Sequence, residues 1–150
     1  MSTWRRVDAR RFHRTWQAGR ADGAASDLVC LCVVVGDDDV KHVLEGDSGV
    51  LAGLAPGGVV AIHSTVHPDT CREIAKGVAD KGISVIDAPV NGGAQAASDS
   101  ALLVMVGGDA DVVARARPVF ETYSDAIVHL GPVGSGQVAR ASSSPRRTPL

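Results

Sequence analysis

Ile86-Asp87-Ala88-Pro89-Val90-Asn91-Gly92-Gly93 is the stretch on which the reading of the fold turns, because an apolar strand ends there in a proline, a side-chain amide and two adjacent glycines. Pro89 fixes one backbone angle, whereas Gly92 and Gly93 permit angles and a close backbone approach that a side chain forbids. Asn91 beside them carries both donors and acceptors. A glycine pair also marks an ordinary strand-to-loop turn, so the neighbouring sequence has to decide. Two more apolar runs, Leu28 to Val35 and Val59 to Ile62, end in a comparable way. They lack the alternation of a half-exposed strand, which points to strands buried on both faces, as in a parallel sheet.

Helix signals separate these runs. Asp37-Asp38-Asp39 offers carboxylate caps for a helix reaching about Leu44. Pro68-Asp69 opens another, in which Cys71, Ile74, Ala75, Val78 and Ala79 fall on one face and Gly82 ends the segment. The strand Ser84 to Asp87 follows at once. Strand, helix, strand, helix, strand predicts right-handed crossovers and an α/β, doubly wound parallel sheet. Ligands of such sheets bind beyond the carboxyl ends of the strands. Here those ends carry Val33-Val34, Ser64-Thr65 and Asn91-Gly92-Gly93.

Downstream, Leu102 to Val106 reads as a strand and Asp109 as the cap of a helix burying Val112, Val113 and Ala116, which Pro118 breaks or restarts. Ile127 to Leu130 is a last short strand. Gly134-Ser135-Gly136-Gln137 looks like a helix start whose apolar pattern fades after Ala141, and Ser142 to Arg147 reads as a loose tail.

At 150 residues and 45% hydrophobic content the chain can bury one core, and no apolar run is long enough to span a membrane. Residues 1–26, 27–136 and 137–150 carry net charges of +4, −9 and +3. Basic ends suggest nucleic acid, but the acidic body opposes it and no recognition motif accompanies the arginines, so no nucleic-acid partner is expected. Trp4, Phe12 and Trp16 lie among the arginines of residues 1–26, which read as a poorly packed extension without a secretory core. The expected location is the cytoplasm. Cys71 falls on a core face and Cys30 and Cys32 alternate along a strand, as reduced core thiols would. His63 and His67 lack the spacing of a zinc site, so no metal is expected, and His63 reads as a strand-end residue near a ligand. No nucleophile–base pair stands out.

From about Asp27 to Gln137 the sequence resembles the β-hydroxyacid dehydrogenases, the group of 3-hydroxyisobutyrate dehydrogenase and tartronate semialdehyde reductase, related to 6-phosphogluconate dehydrogenase. The segments that carry the likeness are Asp27-Leu28-Val29, Gly49-Val50-Leu51-Ala52-Gly53-Leu54, Pro56-Gly57, Ser64-Thr65, Asp87 to Gly93, Met105-Val106-Gly107-Gly108 and Gly131 to Gln137. The resemblance implies an NAD- or NADP-binding domain with a Rossmann-like core, followed by a helical domain. It implies that Val33 and Val34 lie against the dinucleotide and that Thr65 stands beside the nicotinamide end. Asn91, Gly92 and Gly93 match a Ser-Gly-Gly segment that holds the carboxylate of a small hydroxy acid, with Asn91 in place of the serine. Backbone N–H groups at a glycine pair suit that task.

Two departures qualify the likeness. The family opens with a Gly-x-Gly-x-x-Gly phosphate loop, and nothing before Asp27 reproduces it, so the fold expected is a partial Rossmann-like sheet lacking its first βαβ unit. The family also carries a catalytic lysine followed by two asparagines where this chain has Arg140 and Ser143-Ser144. Arginine stays charged and is a poor acid or base, so Arg140 is expected to be non-functional in catalysis. These features predict an atypical extension over residues 1–26, a partial NAD(P)-binding domain over 27–136 and a truncated, disordered tail over 137–150, as a truncated or frame-disrupted reading frame would give. The resulting expectation is an oxidoreductase-family segment, inactive alone and prone to self-association. The alternative is a non-catalytic small-carboxylate-binding or protein-interaction module.

Overall fold

The computed structural model describes residues 27–31, 36–45, 47 and 49–143, the side chains of residues 29–31 excepted. The expectations for Val33, Val34, Ser144 and the segment 1–26 lie outside the described residues.

Strands β1 (Leu28–Leu31), β2 (Val59–Ile62) and β3 (Ser84–Asp87) pair in parallel, with Leu28 opposite Val59 and Val59 opposite Ser84. Helix α1 (Asp37–Leu44) and the single turn α2 (Val50–Gly53) connect β1 to β2. The acidic cap of α1 forms as expected: an Asp39 carboxylate oxygen accepts the Gly36 N–H at 3.2 Å. Helix α3 (Pro68–Val78) connects β2 to β3; the His67 ring accepts the Asp69 N–H at its start, and a 3₁₀ turn ends it on Gly82 at φ +70°. Cys71, Ile74 and Val78 are buried as their spacing predicts. Ala79 belongs to the 3₁₀ turn and is exposed, because the tighter winding rotates it off the apolar face.

The sheet is parallel over these three strands and mixed beyond them. Strand β4 (Val90–Asn91) continues β3 past Ala88-Pro89, and β5 (Leu102–Gly107) runs antiparallel to both, with Asp87 opposite Gly107 and Val90 opposite Val104. A parallel return needs a crossover of a dozen or more residues. Residues 92–101, with only the short helix α4 (Gly93–Ser98), reverse the chain before it can cross. Helix α5 (Ala110–Phe120) then leads to β6 (Ser124–Gly131), parallel to β5. Pro118 neither breaks nor restarts α5, since it sits in the last turn, where only one backbone bond is lost. Helix α6 (Ser135–Ser143) runs through residue 137, where the sequence suggests a change from domain to tail.

Two apolar layers cover the sheet. Val60, Ile62 and Val85 pack against Val40, Leu44, Leu51, Ile74 and Val78 of α1 to α3, and Val59, Ala61, Ile86, Val104 and Val106 pack against Val113, Ala116 and Phe120 of α5. Burial of each large aliphatic side chain stabilises the fold by roughly 1.5–3 kcal/mol. Among the described residues, no helix is long and apolar enough to cross a membrane.

Candidate functional site

The chain's polar chemistry converges where β2, β3 and β4 meet the first turns of α6. Asp87 ends β3 fully buried. Its Oδ1 accepts the Gly134 N–H at 2.6 Å and its Oδ2 the Gln137 N–H at 2.8 Å, so one carboxylate caps the start of α6. Burial pushes the Asp87 carboxyl above the usual carboxylate range, against the opposing pull of these N–H donors. The approach is close: a Cβ on Gly136 would run into the Met105 carbonyl oxygen. Gly134-Ser135-Gly136-Gln137-Val138-Ala139 also has the spacing of a dinucleotide phosphate loop opening a helix. Its amides face Asp87 instead, so an internal carboxylate stands where a phosphate would.

Gln137 extends the connection. Its Nε2 donates to the Ser64 carbonyl at 2.8 Å and its Oε1 accepts the Val66 N–H at 3.2 Å, clamping the peptides on either side of the exposed Thr65. One helical turn on, Arg140 Nε donates to the Val90 carbonyl at 3.3 Å. Positions three apart share a helix face, so one stripe of α6 ties the loop after β2 to β4.

Asn91, Gly92, Gly93 and Arg140 line one depression of about 350 Å³ with Val90, Ala94, Ala97 and Leu102. Gly92 and Gly93 take φ +130° and +70°, which side-chain-bearing residues rarely adopt. Asn91 Oδ1 accepts the Gly92 N–H at 3.0 Å, so this side-chain amide is engaged with its own turn. The structure thus brings four of the expected site residues together. Thr65 stands on the neighbouring strand end, linked to them through Gln137.

His63 is buried behind this surface. Its Nδ1–H donates to the Ala88 carbonyl at 2.5 Å, which leaves Nε2 to accept the Tyr123 hydroxyl at 2.7 Å, and the Phe120 ring lies edge-on at 5.4 Å. Burial lowers its pKa and favours the neutral ring. It stands at the end of β2 as the strand-end reading has it, but as a core histidine that pins the start of the Ala88 to Gly93 segment, its ring turned to Ala88, Tyr123 and Phe120. Among the described residues, no three His, Cys, Asp or Glu side chains cluster to hold a metal ion. Sequence reasoning missed Asp87, Gln137 and Tyr123 as the residues that fix the site. An acid ending an otherwise apolar strand was the only local sign of the first.

The family model for the NAD binding domain of 6-phosphogluconate dehydrogenase matches residues 7–131. That match begins inside the basic N-terminal segment and ends before Gln137 and Arg140. The chain is 38% identical over 116 residues to an NAD-dependent L-serine dehydrogenase of Pseudomonas aeruginosa, covering 77% of this chain and 39% of that protein. It is 39% identical over 127 residues to a 3-hydroxyisobutyrate dehydrogenase of the same organism, covering 80% and 43%. The solved 3-hydroxyisobutyrate dehydrogenase of Mycobacterium tuberculosis with L-serine superposes with a TM-score of 0.75 at 32% identity, covering 82% of this chain and 41% of that one. The chain thus spans about two fifths of the length of these relatives. The extent of the family match, the Rossmann-like sheet and the order of the strand-end motifs agree, and the chain belongs to the family of the NAD binding domain of 6-phosphogluconate dehydrogenase.

Proposed function

We propose that this chain is the NAD(P)-binding segment of a 3-hydroxyacid dehydrogenase-type oxidoreductase, that its Asn91-Gly92-Gly93 turn faces the substrate's carboxylate, and that the segment does not transfer hydride by itself. The observation that carries this is Arg140 on the wall of the Asn91-Gly92-Gly93 depression. At the position matching the family's lysine, a guanidinium supplies fixed positive charge and N–H donors but no proton that leaves near neutral pH. It favours holding an anion over general acid–base work, which is worth roughly 10²–10⁴-fold in rate. In this reading Thr65 borders the nicotinamide end, with Val33 and Val34 further along the dinucleotide. NAD or NADP would supply the hydride acceptor; this chain's residues hold and orient. The proposed division is a partial binding segment over residues 27–136, an atypical extension over 1–26 and a tail over 137–150, of which the part up to Ser143 continues α6 and carries Arg140.

The sequence offers no Gly-x-Gly-x-x-Gly, and the amides of Gly134 and Gln137 are taken by Asp87. Each charge-assisted bond to phosphate is worth roughly 1.5–3 kcal/mol, so losing several weakens dinucleotide binding by orders of magnitude from a typical micromolar level. Calorimetric titration with NADH and NADPH should show at most millimolar affinity. Assays with 3-hydroxyisobutyrate, glycerate and tartronate semialdehyde should show no turnover, with Arg140→Lys failing to restore it. Micromolar affinity, or turnover by either form freed of host enzyme, would overturn the proposal.

A further inference from the structure

Asn91 is the one asparagine of the chain, and Gly92 follows it. A backbone nitrogen can attack the side-chain amide of the residue before it, closing a five-membered ring, and glycine shields that nitrogen least because it has no Cβ. The fold demands glycine there: a Cβ on Gly92, at φ +130°, would lie 2.5 Å from the Ala96 side chain. The turn also holds the reacting groups together. Asn91 Oδ1 lies 3.0 Å from the Gly92 nitrogen. The Asn91 Cγ is one bond of about 1.2 Å from that oxygen, so the nitrogen and the carbon it attacks are held near the roughly 3–3.5 Å of a near-attack arrangement. Water reaches this point, since Gly92, Gly93, Ala94 and Gln95 are exposed and β4 ends at Asn91.

We propose that Asn91-Gly92 is a site of spontaneous covalent modification, at which the folded chain converts its asparagine to isoaspartate and aspartate. Gly92 N gives its proton to hydroxide and bonds to Asn91 Cγ. The Cγ–Nδ2 bond breaks, and the amide nitrogen takes a proton from water and leaves as ammonia, which regenerates the hydroxide. The succinimide so formed takes up one water. Opening at the side-chain carbonyl gives aspartate; opening at the main-chain carbonyl gives isoaspartate, with the backbone rerouted through the former side chain. No atom changes oxidation state. Of the residues lining the depression only Arg140 is charged, so the modification adds a carboxylate to a site where a neutral amide stood beside one guanidinium. An anion entering the depression then meets a repelling group. That cost to substrate holding rests on the role proposed above, whereas the conversion does not.

The full chain, kept folded at neutral and at mildly alkaline pH, is sampled over days to weeks, and its tryptic peptide of residues 82–115 is sequenced by mass spectrometry. A growing fraction should carry –OH in place of –NH2 at residue 91, resolved chromatographically into aspartate and isoaspartate forms. The rate should rise roughly tenfold per pH unit, because the deprotonated nitrogen is a minor species throughout this range. Gln95 in the same peptide should stay unchanged, as its ring would need one more atom. Asn91→Ser and Asn91→Gln should each leave the peptide unmodified over the same period. An unchanged Asn91 overturns the proposal, and so does conversion confined to a parallel sample unfolded in urea, which would show that the folded turn shields the amide. Aspartate alone, formed at a rate indifferent to pH, would mean direct hydrolysis and overturns the attack by Gly92. No substrate or dinucleotide enters the assay, so its failure is separate from failure of the proposed function.

Discussion

Replacing Asp87 by alanine should unfasten α6 from the sheet. The wild-type carboxylate satisfies two buried N–H groups, those of Gly134 at 2.6 Å and Gln137 at 2.8 Å. Each donor left bare costs roughly 1–3 kcal/mol, so the gross loss is about 2–6 kcal/mol. Removing a buried carboxylate recovers part of this, because its desolvation opposes the charged form. A net loss of about 3 kcal/mol corresponds to a melting temperature lower by about 6–12 °C in a domain of this size. Asp87→Asn keeps the shape but sets an amide donor against one of the two N–H groups, and should fall between the two. A pH series adds a signed test. The Asp87 pKa is raised above its ordinary 3.8, so the folded chain holds the proton more tightly than the unfolded one. The group's contribution is then greatest below 3.8 and is lost as pH rises through the folded value, and the gap between wild type and Asp87→Asn should widen toward acid. Calorimetric melting, with amide spectra of residues 134–137, reads both effects. An Asp87→Ala chain melting within about 1 °C of wild type, with those amides unmoved, would refute the reasoning.

His63 should make the fold acid-sensitive in the opposite sense. Its pKa is lowered below 6.5 by burial, so its stabilisation is complete above 6.5 and is lost as pH falls through the folded value; His63→Gln should flatten melting curves taken between pH 7.5 and 5, and an unchanged slope would count against the buried neutral ring. Cys71 is fully buried and its thiol is pushed up to about 12, chiefly by desolvation. Iodoacetamide at pH 8 should leave it unmodified in the folded chain and label it in urea, read by peptide mass spectrometry; comparable native labelling would contradict its placement.

The elements legible in the sequence are those governed by local chemistry. Val59–Ile62 and Ser84–Asp87 appear with the bounds their apolar runs imply, and the helix after Pro68 begins and stops at its proline and glycine signals. β6 is longer than its apolar run implies, because Asp125 and His129 interrupt that run while pairing with β5 extends the strand from Ser124 to Gly131. Within the site, the polar turn Asn91-Gly92-Gly93 and Arg140 are visible as residue types at particular motif positions. Their meeting in one depression is not, since α6 reaches β4 through contacts some fifty residues apart in sequence.

Sequence alone determined that β2 and β3 are buried strands with covering helices, because burial on both faces demands unbroken apolar runs and turns demand glycine and proline. It also placed a helix start in the glycine-rich turn Gly134-Ser135-Gly136-Gln137. Tertiary structure alone decided that β5 runs against β3, since strand direction depends on the path of the connection. It alone turned Asp87 from a strand-end acid into the cap of a helix, and His63 from a candidate ligand contact into a core pin. A side chain's type is local information, whereas the partner that fixes its protonation and its role is supplied by whichever distant segment the packed core brings against it.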